Sequence, residues 1–196
     1  MPIRMEKNIK ITIAIPFHWM DNWPFFLTRC LKSIEDQTFK DYEVVLTKVG
    51  SMPVTTNSVI KSAKGELIKI LFMDDFLSHP DALQDIVSCF RGHWLFTATD
   101  NNPKPHYTED IITGNNRLGS PSALTIKNED PLLFDEELSW ALDCDYYKRM
   151  HKRYGPPVIV EKVGVNMGLG PHQMTHLLTT EEKELEVRYI LNKHEV

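Results

Sequence analysis

Two carboxylates, Asp74 and Asp75, stand side by side where the apolar run ELIKILFM stops and the helix start HPDAL follows. Adjacent like charges repel, so the pair makes a poor stabilising device. Two readings fit the residues. Either the pair is solvated, with Asp75 capping the next turn, or a hard divalent cation is held between these carboxylates and a ligand's phosphates. A second acidic pair, Asp143 and Asp145, lies in SWALDCDYYKRM. Residues two apart on a helix point about 200° from each other, so one of them at most faces a given cleft. Asp145 precedes Arg149 by four residues and reads as an ordinary surface ion pair. Asp143 shares a face with Tyr147 and Met150, the inward side, where a carboxylate can act as a general base or as a helix N-cap. His172 and His176, four apart in GLGPHQMTH, have zinc-binding spacing. Yet Gln173 stands where a zinc hydrolase needs its Glu, and Gly170 and Pro171 crowd the start.

The elements that must hold these groups alternate in kind. Ile9, Ile11, Ile13 and Ile15 recur with period two, giving a strand that Pro16 ends. In NWPFFLTRCLKSIEDQTF, Phe26, Cys30 and Ile34, with Phe25 and Leu31, lie at helical spacing. YEVVLTKV is a second strand, and TTNSVIKSAKG a helix closed by Gly65. ELIKILFM is nearly all apolar, as expected of a strand covered on both faces. HPDALQDIVSCF is a helix opened by Pro80, and HWLFTAT a fourth strand. This alternation predicts an α/β sandwich with a mostly parallel central sheet flanked by helices. In such sheets ligands bind beyond the carboxyl ends of the strands, where Asp74 and Asp75 fall. Past residue 100 the order loosens. DNNPKPHYTEDIITGNNRLGSPS reads as a long surface loop, SALTIK as a strand, DCDYYKRMHKRYG as a helix and PVIVEKVGV as a strand. EEKELEVRYILNK closes the chain as an amphipathic helix with Leu185 and Ile190 or Leu191 inward.

Length and composition bound the function. The 196 residues, 42% apolar and 25% charged, suit one globular domain spanning 1–196. A net charge of −5 argues against a nonspecific nucleic-acid binder. No run is long enough to span a bilayer. The N-terminal MPIRMEKNIKITIAIPF is basic and then apolar, but Lys10 interrupts it and no small-residue cleavage site follows; it reads as a first strand rather than a signal peptide. Cys30, Cys89 and Cys144 form no CxxC pair, which points to reduced thiols in a cytoplasmic protein.

Taken in order, ITIAIPFHW, SIEDQTF, DYEVVL and TTNSVIKSAKGELIKILFMDDFLSHPDAL resemble the family 2 glycosyltransferases, with their GT-A (Rossmann-like) fold. The matches include Pro16, Gln37-Thr38-Phe39, Asn57, Ala63-Lys64-Gly65-Glu66 and HPDAL, with GSPSAL and FDEELSWALDCDYYKRM further on. The resemblance covers roughly residues 9–176. It implies a metal-dependent, inverting transfer of a sugar from a nucleotide-diphosphate donor, UDP-linked by analogy, to an acceptor hydroxyl. Residues 1–99 would form the donor and metal half, and residues 100–196 the acceptor half. Asp75 would ligate Mn²⁺ or Mg²⁺, Asp74 would touch ribose or sugar, and Asp143 would be the base. His172 would approach the metal or diphosphate, or else be an exposed loop histidine. Pro16, Phe17 and His18 fall where strand one meets the donor, with His18 alternatively a surface residue beside Trp19; Asn57 belongs to the donor side as well. Trp140 and the 100–118 loop would line the acceptor side. One departure stands out: the family's acidic turn after strand two, which reads the nucleobase, is replaced by LTKVGSMPVTTNS. That departure favours a noncatalytic nucleotide- or carbohydrate-binding module on the same scaffold. Asp75 with Asp143 favours the enzyme, since a pure binder needs no base. A nucleotidyltransferase would carry a Gly-rich, basic phosphate loop after strand one, and PFHWMDNW is not one.

Overall fold

The computed structural model describes residues 9–195; the first part of the N-terminal segment that argues against a signal peptide lies outside them. Strand β1 (Ile11–Pro16) is buried at every position, Thr12 and Ala14 included, so its isoleucines line one covered face and not the boundary with solvent. Helix α1 (Trp23–Glu35) buries Cys30 and Ile34 and leaves Phe25 and Leu31 exposed. β2 (Tyr42–Thr47) leads to α2 (Met52–Ser62), which ends at an extended Ala63 and not at Gly65. Gly65 answers to packing instead: a Cβ there would lie 2.5 Å from the Thr12 amide nitrogen of β1. β3 (Leu67–Ile70) and the short β4 (Phe76–Leu77) bracket the acidic pair. Then come α3 (Ala82–Cys89), β5 (Trp94–Thr99), β6 (Leu124–Lys127), α4 (Leu142–Tyr154), β7 (Val158–Asn166), α5 (Met174–Leu177) and α6 (Thr180–Lys193).

The described strands make one seven-stranded sheet in the order β2-β1-β3-β6-β5-β7-β4. It is mixed, which corrects the expectation of a mostly parallel sheet. β1 pairs in parallel with β2 and β3, and β5 with β7, whereas β6 runs antiparallel to both β3 and β5, and β4 antiparallel to β7. A parallel neighbour needs a crossover that carries the chain back to the sheet's other end. Residues 100–123 contain no α-helix to do so, and β6 starts back from the carboxyl end of β5. Its first turn therefore lies beside the acidic pair.

Two apolar layers cover the sheet. On one face Ile11, Ile13, Ile15, Leu67 and Leu95 pack against Cys30 and Ile34 of α1 and Leu83 and Ile86 of α3. On the other, Ala14, Ile68, Ile70, Phe96 and Leu124 pack against α2, against Tyr146, Tyr147 and Met150 of α4, and against Ile190 of α6. The segment expected as surface loop belongs to this second core. Ile111, Ile112 and Leu118 are buried, held by 3-10 turns at Glu109–Thr113 and Pro121–Ala123. In α6, Ile190 faces inward as expected, while Leu185 is 54% exposed. The helix starts in a capping box between Thr179 and Glu182.

Candidate active site

A cleft of about 600 Å³ opens beyond the carboxyl ends of β1 and β3, lined by His18, Asp74, Asp75, Trp140, Asp143 and His172 among others. The acidic pair sits in its floor. The turn leaving β7 passes over it so closely that a Cβ on Gly168 would lie 2.1 Å from the Asp74 carbonyl oxygen. The Gly168 N–H donates to Asp75 Oδ1 at 2.7 Å, and the Ser122 hydroxyl of the β6 turn accepts the Phe72 N–H at 2.9 Å, two residues before the pair. Burial raises Asp75 well above the usual carboxylate range, and the neighbouring charge of Asp74 adds to it. Asp74 is the more open of the two. His172 Nε2 lies 2.9 Å from its Oδ2 and 3.0 Å from the Gly168 carbonyl, while Arg29 of α1 donates to its backbone carbonyl at 2.6 Å. Below the pair, Lys69 of β3 is fully buried with its Nζ donating to the Ser122 carbonyl. Burial pulls its ammonium down to about 7, against the opposing pull of Asp75.

The opposite wall comes from the second half of the chain. Asp143 lies in the first turn of α4, one residue past Leu142, and the N-cap position is Ala141, so Asp143 is no N-cap. Its Oδ2 accepts from Asn116 Nδ2 at 2.7 Å and its Oδ1 from the Cys144 N–H at 2.7 Å. Burial pushes its carboxyl up to about 6, and the two hydrogen bonds hold it from going higher. Glu186 of α6 anchors the approach to this helix, accepting the N–H groups of Ser139, Trp140 and Ala141 at 2.8–2.9 Å. A second lobe of about 670 Å³ adjoins the first. It shares Ser120, Trp140, Asp143 and Met167 with it and adds Asn101, Asn102, His106 and Arg117.

The structure thus brings His18, Asp74, Asp75, Asp143 and His172 around one cleft, and Trp140 with them. Three other expected residues lie elsewhere. Pro16 ends β1 within the sheet. Phe17 is buried, edge-on to Trp19 and Trp23 at 5.0 and 5.3 Å; of these three aromatics the exposed Trp19, with Lys48 Nζ 4.8 Å from its ring, lines the cleft. Asn57 is buried and braces the chain at Phe134, giving Nδ2 to its carbonyl at 2.9 Å and taking its N–H at 2.8 Å. Asp145 is no surface residue. It is fully buried, 2.8 Å from Arg149 Nε, 2.9 Å from Lys193 Nζ and 3.0 Å from His194 Nε2. His18 faces the cleft with a buried Nδ1 that has no hydrogen-bond partner among the described residues, and burial lowers its pKa. Lys69, Asn116, Ser122 and Glu186 escaped the sequence reading because each acts through a partner at least 27 residues away. No group of three or more His, Cys, Asp or Glu side chains among the described residues is arranged to hold a metal ion by itself. A hard cation that takes one or two carboxylates and fills its shell with phosphates and water needs no such cage, so this floor fits one.

Fold and cleft together define a GT-A-like architecture. The crystal structure of S. aureus TarS 1–349 superposes with a TM-score of 0.63 at 17% identity, over 94% of this chain and 71% of that one. Its complex with UDP-GlcNAc gives a TM-score of 0.71 at 16% identity, over 94% and 66%. A TarS structure not limited to residues 1–349 is spanned over 43% of its length, at a TM-score of 0.63. The likeness is one of fold. No protein-family model and no curated protein matches the sequence. No helix among the described residues is long and apolar enough to cross a membrane.

Proposed function

We propose that the chain is a nucleotide-sugar transferase of the inverting kind, family 2-like, using UDP-linked donor and a carbohydrate or other hydroxyl acceptor. The observation that carries this reading is the placing of Asp143 across one cleft from Asp74 and Asp75. The TarS complexes with UDP and UDP-GlcNAc support the choice of donor by analogy of fold. The donor's diphosphate would lie over the acidic floor beside His172, with Trp19 and His18 toward the nucleoside. The acceptor would enter through the second lobe, past Trp140. Asp143 takes the proton of the acceptor hydroxyl as its oxygen attacks the anomeric carbon; the bond to the diphosphate breaks, and the electron pair leaves with the phosphate. The neutral partners of Asp143 suit this role, since its charge must change during the reaction. Asp75, with Asp74 and His172 beside it, would hold a divalent cation, and bound Mn²⁺ or Mg²⁺ would supply Lewis-acid help to the departing diphosphate. The three unpaired cysteines favour a reducing, cytoplasmic setting.

A thermal-shift screen of nucleotide sugars with and without Mn²⁺ tests the donor without knowledge of the acceptor. Calorimetry then tests the floor: Asp75→Asn is expected to remove Mn²⁺-dependent binding of UDP from a protein that still folds. Unchanged affinity in that variant would take Asp75 out of the cation site. UDP binding with no turnover of any nucleotide sugar would favour the noncatalytic binding module, the reading that the missing acidic turn after β2 supports.

A further inference from the structure

The helix that carries Asp143 starts without a cap of its own. The N-cap position of α4 is Ala141, whose side chain can accept nothing. The hold on this helix start comes from 45 residues away. Glu186 Oε1 accepts the Ser139 N–H at 2.9 Å, and its Oε2 accepts the N–H groups of Trp140 and Ala141 at 2.9 and 2.8 Å. The Ala141 carbonyl in turn accepts the Asp145 N–H at 3.2 Å, so the clamped residue also opens the helix. Asp143 follows two residues later. The same helix α6 grips the chain further out. Tyr189 donates its hydroxyl to Asp135 at 3.0 Å, and Lys193 Nζ lies 2.5 Å from Asp135 and 2.9 Å from Asp145. Glu186, Tyr189 and Lys193 fall at i, i+3 and i+7, which is one face of a helix. Between these grips Trp140 is fixed twice, through its backbone by Glu186 and through its ring at Gly114, where a Cβ would lie 2.6 Å from Cη2. That ring borders the main cleft, the second lobe and a groove of about 410 Å³ along α6.

We propose that Glu186 is a positioning residue: its carboxylate fixes the start of α4, and with it the place of Asp143 and Trp140 in the cleft wall. A carboxylate suits the task, because its two oxygens can accept three N–H groups at once and negative charge is favoured at a helix N-terminus. Asp143 bonds Asn116 and the Cys144 N–H of its own first turn, so the direction of its carboxylate follows the helix start. The consequence for transfer rests on the function proposed above; the placing of Asp143 does not.

Melting temperatures at pH 4 and pH 7 read the placing without any ligand. Burial holds the Asp143 carboxyl at about 6, so the melting difference between wild type and Asp143→Asn should change over this range. In a Glu186→Ala background that change is expected to shrink to about half or less, because a loosened helix start lets water reach Asp143. Glu186→Gln, which keeps an oxygen for the N–H groups without the charge, is expected to retain most of it. The other titratable or charged groups around Asp143 are Cys144 and Tyr147 on α4, His106 and Arg117 in the second lobe, and the acidic floor with its two histidines. They are present in every variant and cancel in the comparison. A Glu186→Ala protein that melts lower yet keeps the wild-type pH change would reduce Glu186 to a fastener of α6 and overturn the positioning role. Glu186→Gln behaving as Glu186→Ala does would overturn it too, since charge alone would then act on Asp143. Hydrogen exchange on the wild type serves if Glu186→Ala does not fold. The amides of Ser139, Trp140 and Ala141 should exchange as slowly as those of the middle of α4, and exchange at the rate of an exposed loop would overturn the clamp. With a donor and acceptor in hand, Glu186→Ala should lose about tenfold or more in kcat while UDP affinity, by calorimetry with Mn²⁺, stays unchanged. Wild-type protein that binds no UDP would sink the donor reading, while the melting comparison still decides whether Glu186 places Asp143.

Discussion

Residues 9–99 and residues 100–195 build the same cleft by different means. The first half supplies a floor of charge. Asp74 and Asp75 lie between His172, the backbone contact of Arg29 and the buried Lys69. The second half supplies Asp143, whose bonded partners are an asparagine amide and a backbone N–H. Two residues on, Asp145 is bound by two cationic side chains, Arg149 and Lys193, with the His194 ring 3.0 Å away. Neutral partners leave a carboxylate able to take and release a proton, whereas ionic partners fix its charge. By that criterion Asp143 is built to change state during turnover, and Asp145 to stay as it is.

The sharpest test of the contrast exchanges each carboxylate for its amide. Asp143→Asn should keep UDP affinity and lose transfer by about 10²–10⁴-fold, the usual contribution of a general base. Rates are measured once a donor and acceptor pair is known. A variant that turns over normally would place the base elsewhere. Asp145→Asn should keep both UDP binding and transfer below its melting temperature. Its cost falls on stability: removing one partner of a buried ion pair typically costs about 3–5 kcal/mol, not the few tenths of an exposed helical pair. Denaturant unfolding reads the difference. A loss under 1 kcal/mol would mean that the cations around Asp145 find water easily.

The two halves also differ in how much of them the sequence discloses. In the first half, strand and helix alternate at regular spacing, so β1, β2, β3 and β5 and the helices between them follow from local periodicity, and Asp74 and Asp75 from their place at a strand end. In the second half position is set by distant partners. Ile111, Ile112 and Leu118 sit in a stretch whose Asn, Pro and Gly outweigh them locally, yet they close the core under α4. The reversal of β6 follows from the lack of a crossover helix, which is visible in the pattern but easily masked by the parallel habit of the strands before it. Asp143 and Asp145 were separable by helical phase, and the cleft side was legible. The burial of Asp145 was not, because Lys193 and His194 reach it from the far end of the chain. Asn57 shows the converse case: a polar residue in a matching motif that the fold uses to clamp Phe134.

A smaller effect follows from the raised carboxyl of Asp143. Burial sets it at about 6 in the folded protein, against about 3.9 for an aspartate in an unfolded chain. Between those values the folded state binds more protons than the unfolded one. The contribution of Asp143 to stability is therefore greatest below the lower value and is lost as pH rises toward 6. Activity runs the other way, since the base works as a carboxylate and transfer should fall as pH drops below about 6. Relative to wild type, Asp143→Asn should accordingly melt higher at pH 7 than at pH 4. A difference in melting temperature that stays constant over this range would mean that Asp143 titrates as an ordinary exposed aspartate.

The smallest effect is expected from the cysteines, and it compares the halves directly. Each half hides one thiol behind its part of the site. Cys30 is buried under the acidic floor, its pKa pushed up to about 12 by burial, with Asp75 and Asp74 adding to the rise. Cys144 is buried beside Asp143, and burial again raises it strongly. Cys89, at the end of α3, is exposed and far from both walls of the cleft. A thiol reacts as its thiolate and only where the reagent reaches it. Native protein should therefore show one fast-reacting thiol and two that react on opening, with three counted after denaturation. Blocking Cys89 should leave UDP affinity unchanged. The slow reactions carry the information. If UDP with Mn²⁺ binds the floor, it should slow the reaction of Cys30 more than that of Cys144, because the donor braces the first half directly. Equal protection of both would mean that the halves open together, as one cooperative unit. Two thiols missing from protein purified without oxidation would show a disulfide that this arrangement does not contain.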